Sequence, residues 1–452
     1  MRERLASALR GHDADYVEAH LEESEATQIR YQNGALEEVH RTRSCGGNVR
    51  ALVNGGWGFV SFEHLDDLWD KAALAVEDAR LASGEAVPLA SGEAVVGNSA
   101  EPARSGAATL PLERKKRVLD EYNDIILGTG RIQNARIDYG DAKRRAIFAN
   151  SEGSYIEQDR PDLSLRLTAI ARENNEVQQA GLSLGSNGEI SAIEGLHERV
   201  TETAGLAAAL LSAPEVRGGE YTVILDPVLA GVFAHEAFGH LSESDFVYQN
   251  RELQDIMTLG RTFGGRHLNI VDDATVPGLR GSYQYDDEGM PACRTCLIRE
   301  GVLVGRLHSR ETAVKMGERP TGNARAISYR FPPIVRMSNT FIENGNMSFE
   351  EMLSGVRKGL YVKNWYGGQT SLEMFTFSAG EAYMIRDGRL AELLRPVVLT
   401  GNVFVTLNNI DAVGDDLEMN QGGGCGKGGQ SPLPVSNGSP HIRIRHCLIG
   451  GS

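Results

Sequence analysis

Residues 221–245 read YTVILDPVLAGVFAHEAFGHLSESD. Tyr221 to Leu225 is a short apolar run of the kind that forms a buried strand. Asp226 is a good helix N-cap, and Pro227 suits the first helical position because its missing N–H would be unpaired there anyway. A helix is therefore expected to run through His235-Glu236-Ala237-Phe238-Gly239-His240. Strand, cap and helix in so few residues place polar chemistry at the end of an otherwise apolar helix.

The hexapeptide is HExxH with one residue added. In HExxH the two imidazoles are four apart, on one helix face. Five residues turn roughly 500°, which leaves the second ring about 140° away from the first. His235 and His240 can share an ion only if the helix widens locally to a π-type turn or bends. Such distortions favour functional sites, and Gly239 eases this one. Neutral imidazoles bind zinc, and a catalytic zinc keeps one position open for water, whose pKa it lowers toward about 7. A carboxylate beside a ligand His can take a proton from that water and pass it to the leaving amine. Glu236 stands in that place. The two His are flanked by Val232, Phe233, Ala234, Ala237 and Phe238, and polar groups buried in such surroundings need partners, which a metal supplies. Composition leaves the third ligand open among Glu243, Asp245 and Cys425. The last lies in the glycine-rich segment 421–430, QGGGCGKGGQ, where missing side chains let backbone approach a site closely.

Outward from this segment, residues 2–10 read as a helix. Alternating runs from Tyr16 to Phe62, broken at Asn33-Gly34, Gly46-Gly47 and Gly55-Gly56, read as an antiparallel meander. Leu65 to Leu81 has helical spacing, and 91–110 has a linker's composition. A helix over Leu112–Leu127, strands over Ile132–Leu184 and an Ala-rich helix over Val200–Leu211 follow. The main boundary is expected near Pro214–Gly219. That gives an N-terminal α/β domain of antiparallel strands (1–213) and a strand-rich C-terminal domain (214–452) carrying the metal-binding helix. The class is α+β.

Composition excludes several functions. The chain of 452 residues carries a net charge of −15, the wrong sign for gripping phosphates. Its densest basic run, Arg114-Lys115-Lys116-Arg117, reads as the solvated face of a helix. Gly424 to Gly429 spells GxGxxG, but Pro432 and Pro434 prevent the helix such a loop must open, and no Walker A pattern is present, so phosphate binding is not expected. Five cysteines at irregular spacing do not form a disulfide framework. No apolar leader and no run of about 20 apolar residues is visible, so a cytoplasmic location without membrane insertion is expected. Cys293-Arg294-Thr295-Cys296 reads as two small residues on opposite faces of a strand rather than a metal half-site or redox pair. His441 and His446 read as structural. Asp272-Asp273 and Asp286-Asp287-Glu288 read as solvated turns, since no EF-hand spacing accompanies them. No GxSxG nucleophile elbow occurs.

The chain resembles the TldD/PmbA family of metallopeptidases, once described as modulators of DNA gyrase. HEAFGHLSESD (235–245) matches its metal motif and CGKGGQ (425–430) its C-terminal cysteine segment. TGNAR (321–325), RMSNT (336–340), GGQ (367–369) and GEAY (380–383) are similar to further signatures. The resemblance spans most of the chain and is strongest from Tyr221 to Gly451. It implies Zn2+ held by His235, His240 and Cys425, with Glu236 as catalytic base. It also implies the active, TldD-like branch, since the inactive TldE (PmbA) branch typically lacks these residues. The cysteine pair 293/296 departs from the family pattern. A dimer with an enclosed active site is further implied, either a homodimer or a heterodimer with a TldE-like chain. The expected activity is hydrolysis of short or unfolded peptides; the rival is a non-enzymatic, zinc-containing regulatory or binding protein.

Overall fold

Two Asn-Gly turns shape the start of the chain. Asn33, Gly34, Asn54 and Gly55 all have positive φ, the conformation of tight hairpin turns whose twist matches that of the strands they join. The computed structural model describes all residues except 83, 85–87, 99–105, 372 and 451–452. After helix α1 (Arg2–Ala8), these turns connect β1 (Tyr16–Gln32), β2 (Ala35–Val53) and β3 (Gly56–Phe62); helix α2 (Leu68–Leu81) follows. Gly46-Gly47 does not break the meander as expected. Both glycines lie inside β2, where a Cβ on Gly46 would stand 2.4 Å from the Tyr329 ring and one on Gly47 2.6 Å from the His20 carbonyl. These glycines mark a close approach of another part of the chain rather than a turn.

Strand β4 (Val96–Asn98) falls within the segment read as linker and pairs in parallel with Tyr155–Glu157; residues 99–105 of that segment lie outside the described residues. Helix α3 (Leu112–Gly128), the long antiparallel strands β5 (Ile132–Asn150), β6 (Tyr155–Glu173) and β7 (Glu176–Ser186), and helix α4 (His197–Leu210) complete this half. The sheet runs β3-β2-β1-β5-β6, with β4 and β7 both on β6. Leu119, Tyr122 and Ile126 of α3 and Val200, Ala204 and Ala207 of α4 bury against Ile137, Leu165 and Leu167. Lys115 is not part of a solvated face. It is buried and pairs with Asp141 at 2.6 Å, a partner 26 residues away that no local pattern announces.

The C-terminal half begins with β8 (Gly219–Leu225), flanked by Lys358–Ser371 in parallel and Ile442–Gly450 antiparallel, in a seven-stranded sheet. The hairpin of Lys358–Ser371 with Met374–Arg386 is longer than the short strands expected here. A second sheet of six strands includes Ile270–Asp273, Asn339–Ile342 and Ser436–Ser439. Helix α5 (Pro227–Ala234) lies in one apolar core with strands of both sheets. It is buried at every position but Val228, and Phe233 meets Phe375 edge-on at 5.5 Å. A helix apolar all round belongs in a core. The molecule is α+β, and among the described residues no helix is long and apolar enough to cross a membrane.

The acidic clusters read as solvated turns are buried instead. Asp272 accepts from Asn323 Nδ2, Ser338 N and Oγ, and Thr340 Oγ1. Asp287 pairs with Arg160 at 2.9 Å and Glu288 with Arg50 at 3.1 Å. Arg50 in turn holds Glu18 at 2.6 Å. The Asp287–Arg160 and Glu288–Arg50–Glu18 pairs seam the N-terminal sheet to the C-terminal half, and their burial is tolerable because each charge is paired.

Candidate metal centre

The Asp226 side chain caps α5 by accepting from Leu229 N at 2.9 Å. Pro227 sits at the first helical position as expected. Burial pushes the Asp226 carboxyl up to about 7, although N–H groups of Leu229 and Asn364 favour its charged form. At His235 the helix widens. Residues His235–Gly239 form a π turn and His240–Ser242 a 3₁₀ turn. This is the distortion that the five-residue spacing demands. The imidazole centroids come to 5.2 Å with planes at 81°. Gly239 does more than relax the backbone, because a Cβ there would stand 2.1 Å from Met337 Sδ.

Cys425 arrives from a separate hairpin, Gly424–Lys427 paired with Gln430–Pro434. Its Sγ lies 3.5 Å from His240 Nε2. The donor atoms of His235, His240 and Cys425 all lie within 4.8 Å of one another, and His235 and Cys425 are buried. Burial would depress the His235 imidazole, but the Cys425 charge beside it prevails and raises it. His240 is raised well above its ordinary value against the same burial, first by Glu243 and then by Cys425. Burial alone would raise the Cys425 thiol, yet the two imidazoles pull it down to about 5. Two rings and a thiolate thus hold one another charged in a buried place. A dication can replace the ring protons as counter-charge, since metal ligands must be deprotonated to bind. Two imidazole nitrogens and a thiolate sulfur are a set that zinc accepts. His235 Nδ1 is also buried without a hydrogen-bond partner.

Of the alternative third ligands, neither Glu243 nor Asp245 joins this group. Glu243 Oε2 accepts from His240 Nδ1 at 2.9 Å, on the ring edge away from Cys425, and Asp245 Oδ1 takes Lys427 Nζ at 2.6 Å. Glu236, half-buried on the π turn, lines a cleft of about 660 Å³ together with His235, Trp365, Tyr366 and Gly422. Residues of β7 line the same cleft, and Ser183 Oγ donates to Gly422 O at 2.7 Å. Cys293 and Cys296 stand apart from the centre. They donate to the carbonyls of Thr321 and Ile298 respectively. His441 and His446 each meet a carboxylate, Asp416 and Glu220, at 2.6 Å.

Three domain profiles match this chain: PmbA/TldA metallopeptidase domain 1 over residues 17–83, the central domain over 106–208, and the C-terminal domain over 218–451. The chain belongs to the TldD/PmbA family. Among its TldD/PmbA relatives, metalloprotease slr0863 of Synechocystis sp. is 45% identical over 440 residues, 97% of this chain and 95% of the relative. A zinc metalloprotease TldD homolog of Saccharolobus solfataricus is 29% identical, with 94% and 96% covered. These names place the chain among metallopeptidases. TldE of Thermococcus kodakarensis has the same fold, with TM-score 0.76 at 17% identity and 97% of each chain covered. So has a protein named as a candidate modulator of a DNA gyrase from Thermotoga maritima, with TM-score 0.78 at 19% identity and 96% of each chain covered.

Sequence reasoning missed the residues that hold the cysteine hairpin in place. Arg336, fully buried, donates from Nη2 to Cys425 O at 2.8 Å. Arg280 donates from Nη1 to Gln421 O at 3.2 Å and pairs with Asp162. Lys427 lies inside the quoted cysteine motif, so its proximity to Cys425 was visible, but its ion-pair partners were not.

Proposed function

We propose that this chain is a zinc peptidase of the TldD-like branch, with His235, His240 and Cys425 as ligands and Glu236 as general base. The convergence of the three donors, with His235 and Glu236 lining a cleft, carries this reading. Bound there, zinc supplies a Lewis acid that polarises the scissile carbonyl and acidifies water. Glu236 takes the proton from the attacking water and delivers it to the leaving amine. The cleft orients the peptide, and the burial of His235 and Cys425 limits competing water. A purely structural zinc in a regulatory protein is the rival. It would call for four protein ligands, whereas the donor group among the described residues has three and leaves a carboxylate at the cleft.

Short or unfolded peptides are the substrate class this cleft suits. The protein works as a dimer, with a second copy or with a TldE-like chain, away from membranes and nucleic acid in the cytoplasm. The test is zinc content and peptide hydrolysis in the purified chain, alone and with its partner. A chelator should abolish both and zinc should restore both. Hydrolysis undiminished after complete zinc removal would overturn the reading.

A further inference from the structure

We infer that Glu243 and Lys427 act as a positioning pair that joins the two separately folded halves of the metal site. The inference rests on the zinc-site reading above and assigns to these residues a role distinct from that of ligand.

His235 and His240 belong to the distorted end of α5. Cys425 belongs to a hairpin whose first strand, Gly424–Lys427, pairs only with Gln430–Pro434 among the described residues. No larger sheet fixes the height of that strand over the helix. A site assembled from two such pieces needs a tie between them, because ligand geometry must be held within a fraction of an ångström.

Glu243 lies three residues beyond His240, and its side chain is fully buried. Its Oε2 accepts from His240 Nδ1 at 2.9 Å. A carboxylate can only accept, so an Nδ1 proton is committed to it, and Nε2 is the nitrogen turned toward Cys425. This is the way a carboxylate behind a ligand histidine fixes tautomer and ring orientation. The same Oε2 lies 3.1 Å from Lys427 Nζ.

Lys427 is two residues beyond Cys425 and nearly buried. Besides Glu243 its ammonium meets Asp245 Oδ1 at 2.6 Å and the Val335 carbonyl at 2.8 Å, and it lies 4.5 Å from the centroid of the Phe246 ring. Three donors meet three acceptors, and two of those acceptors sit on the chain segment immediately after His240. One ammonium therefore pins the cysteine strand to the histidine segment. A lysine needed only for charge balance could sit at any height; this one is anchored from both sides.

The test reads zinc affinity by chelator competition, the thiolate-to-metal absorption band of the cobalt-loaded protein, and melting temperature. Lys427→Met and Glu243→Ala should each weaken zinc binding about 10–100-fold, the usual cost of losing an outer partner, and diminish the thiolate band. Lys427→Arg should recover part of the affinity. The double variant should be little worse than either single one, because both remove the same tie. Glu243→Gln keeps size and an acceptor for His240 while removing the carboxylate charge that faces Lys427, so it tests the pair without gross loss of fold. Folded Lys427→Met and Glu243→Gln proteins that bind zinc within twofold of the parent, even with lowered melting temperatures, would overturn the inference and leave the zinc site standing. A parent chain that takes up no zinc would overturn both.

Discussion

His240 Nε2 and Cys425 Sγ lie 3.5 Å apart across 185 residues of sequence. The contact brings a helix-borne ring and a hairpin-borne thiol into one donor set with His235. If this set is the zinc site, one zinc per chain is expected. His235→Ala and Cys425→Ala should each reduce the stoichiometry toward zero after dialysis. Elemental analysis of folded variants checks this. Full zinc at unchanged affinity in Cys425→Ala would remove the cysteine from the ligand set.

Glu236→Gln separates binding from chemistry. The amide keeps the shape and polarity of the side chain but cannot take a proton. Zinc content should stay at the parental level, while peptide hydrolysis falls by at least about 100-fold. Parallel metal analysis and steady-state rates decide it, and comparable turnover would exclude the base assignment.

The π turn depends on the absence of one methyl group. Gly239→Ala would drive its Cβ toward Met337 Sδ, 2.1 Å away. Overpacking of this kind costs about 1–3 kcal/mol, and the strain falls on the turn that aims both rings. Stability and zinc content should drop together. Most of the stability loss should vanish when Met337→Ala provides the space, which a double-mutant cycle in denaturant measures. Equal losses in the two backgrounds would mean that Met337 is not the obstacle.

The centre was legible where function is written in contiguous residues. Asp226, Pro227 and the HEAFGH spacing were enough to expect a capped helix ending in a π turn, because caps and helical period are local. The meander was legible from Asn33-Gly34 for the same reason. What failed was long-range. Asp287 and Glu288 look like solvated turns until Arg160 and Arg50 are brought to them from more than 100 residues away, and Asp272 and Asp286 until neutral donors such as Ser338 Oγ and Ala324 N close on them. Lys115 looked solvated for want of Asp141. Gly46-Gly47 punctuated the sequence as a turn would, yet the glycines serve the close approach of Tyr329. Periodicity reports the side of an element that is wet, and it carries no information on a buried ionic seam between halves.

Asp226 gives the fold a pH dependence of definite sign. Its carboxyl rises from about 4 in an unfolded chain to about 7 in its buried place. A raised folded value means that its contribution is fully present below about pH 4 and is lost as pH climbs through about 7. Asp226→Asn keeps a capping oxygen for Leu229 N, and Asn caps as well as Asp. The variant should flatten the fall in stability between pH 4 and 7. At pH 8 it should match or exceed the parent, by at most about 4 kcal/mol, the linkage ceiling for that displacement. Denaturation midpoints at pH 5 and 8 measure it. A larger loss of stability at pH 8 than at pH 5 in the variant would reverse the sign.

The last prediction concerns the form of the substrate. His235 is only 4% exposed, and Glu236 lines a cleft together with residues of β7 and of the glycine segment 421–424. The β7 strand pairs with β6 on one edge alone among the described residues. Gly181 to Gly185 line the cleft, and there Ser183 donates to Gly422 O. An extended chain can add to such an edge through main-chain hydrogen bonds, which give affinity with little demand on side chains. The glycines opposite have no side chains with which to build a specificity pocket. Short peptides and unfolded chains should therefore be cut with loose sequence preference. A compact folded domain should resist, because its backbone groups are already paired and it cannot enter the cleft. One protein compared in its folded state, as a destabilised unfolded variant and as isolated peptides tests this directly. Rates for the unfolded form and peptides should exceed the folded form at least in proportion to the folded state's scarcity of open molecules. Equal rates for folded and unfolded forms would remove the access argument. They would leave the zinc chemistry untouched, because the convergence of His235, His240 and Cys425 does not depend on how the peptide arrives.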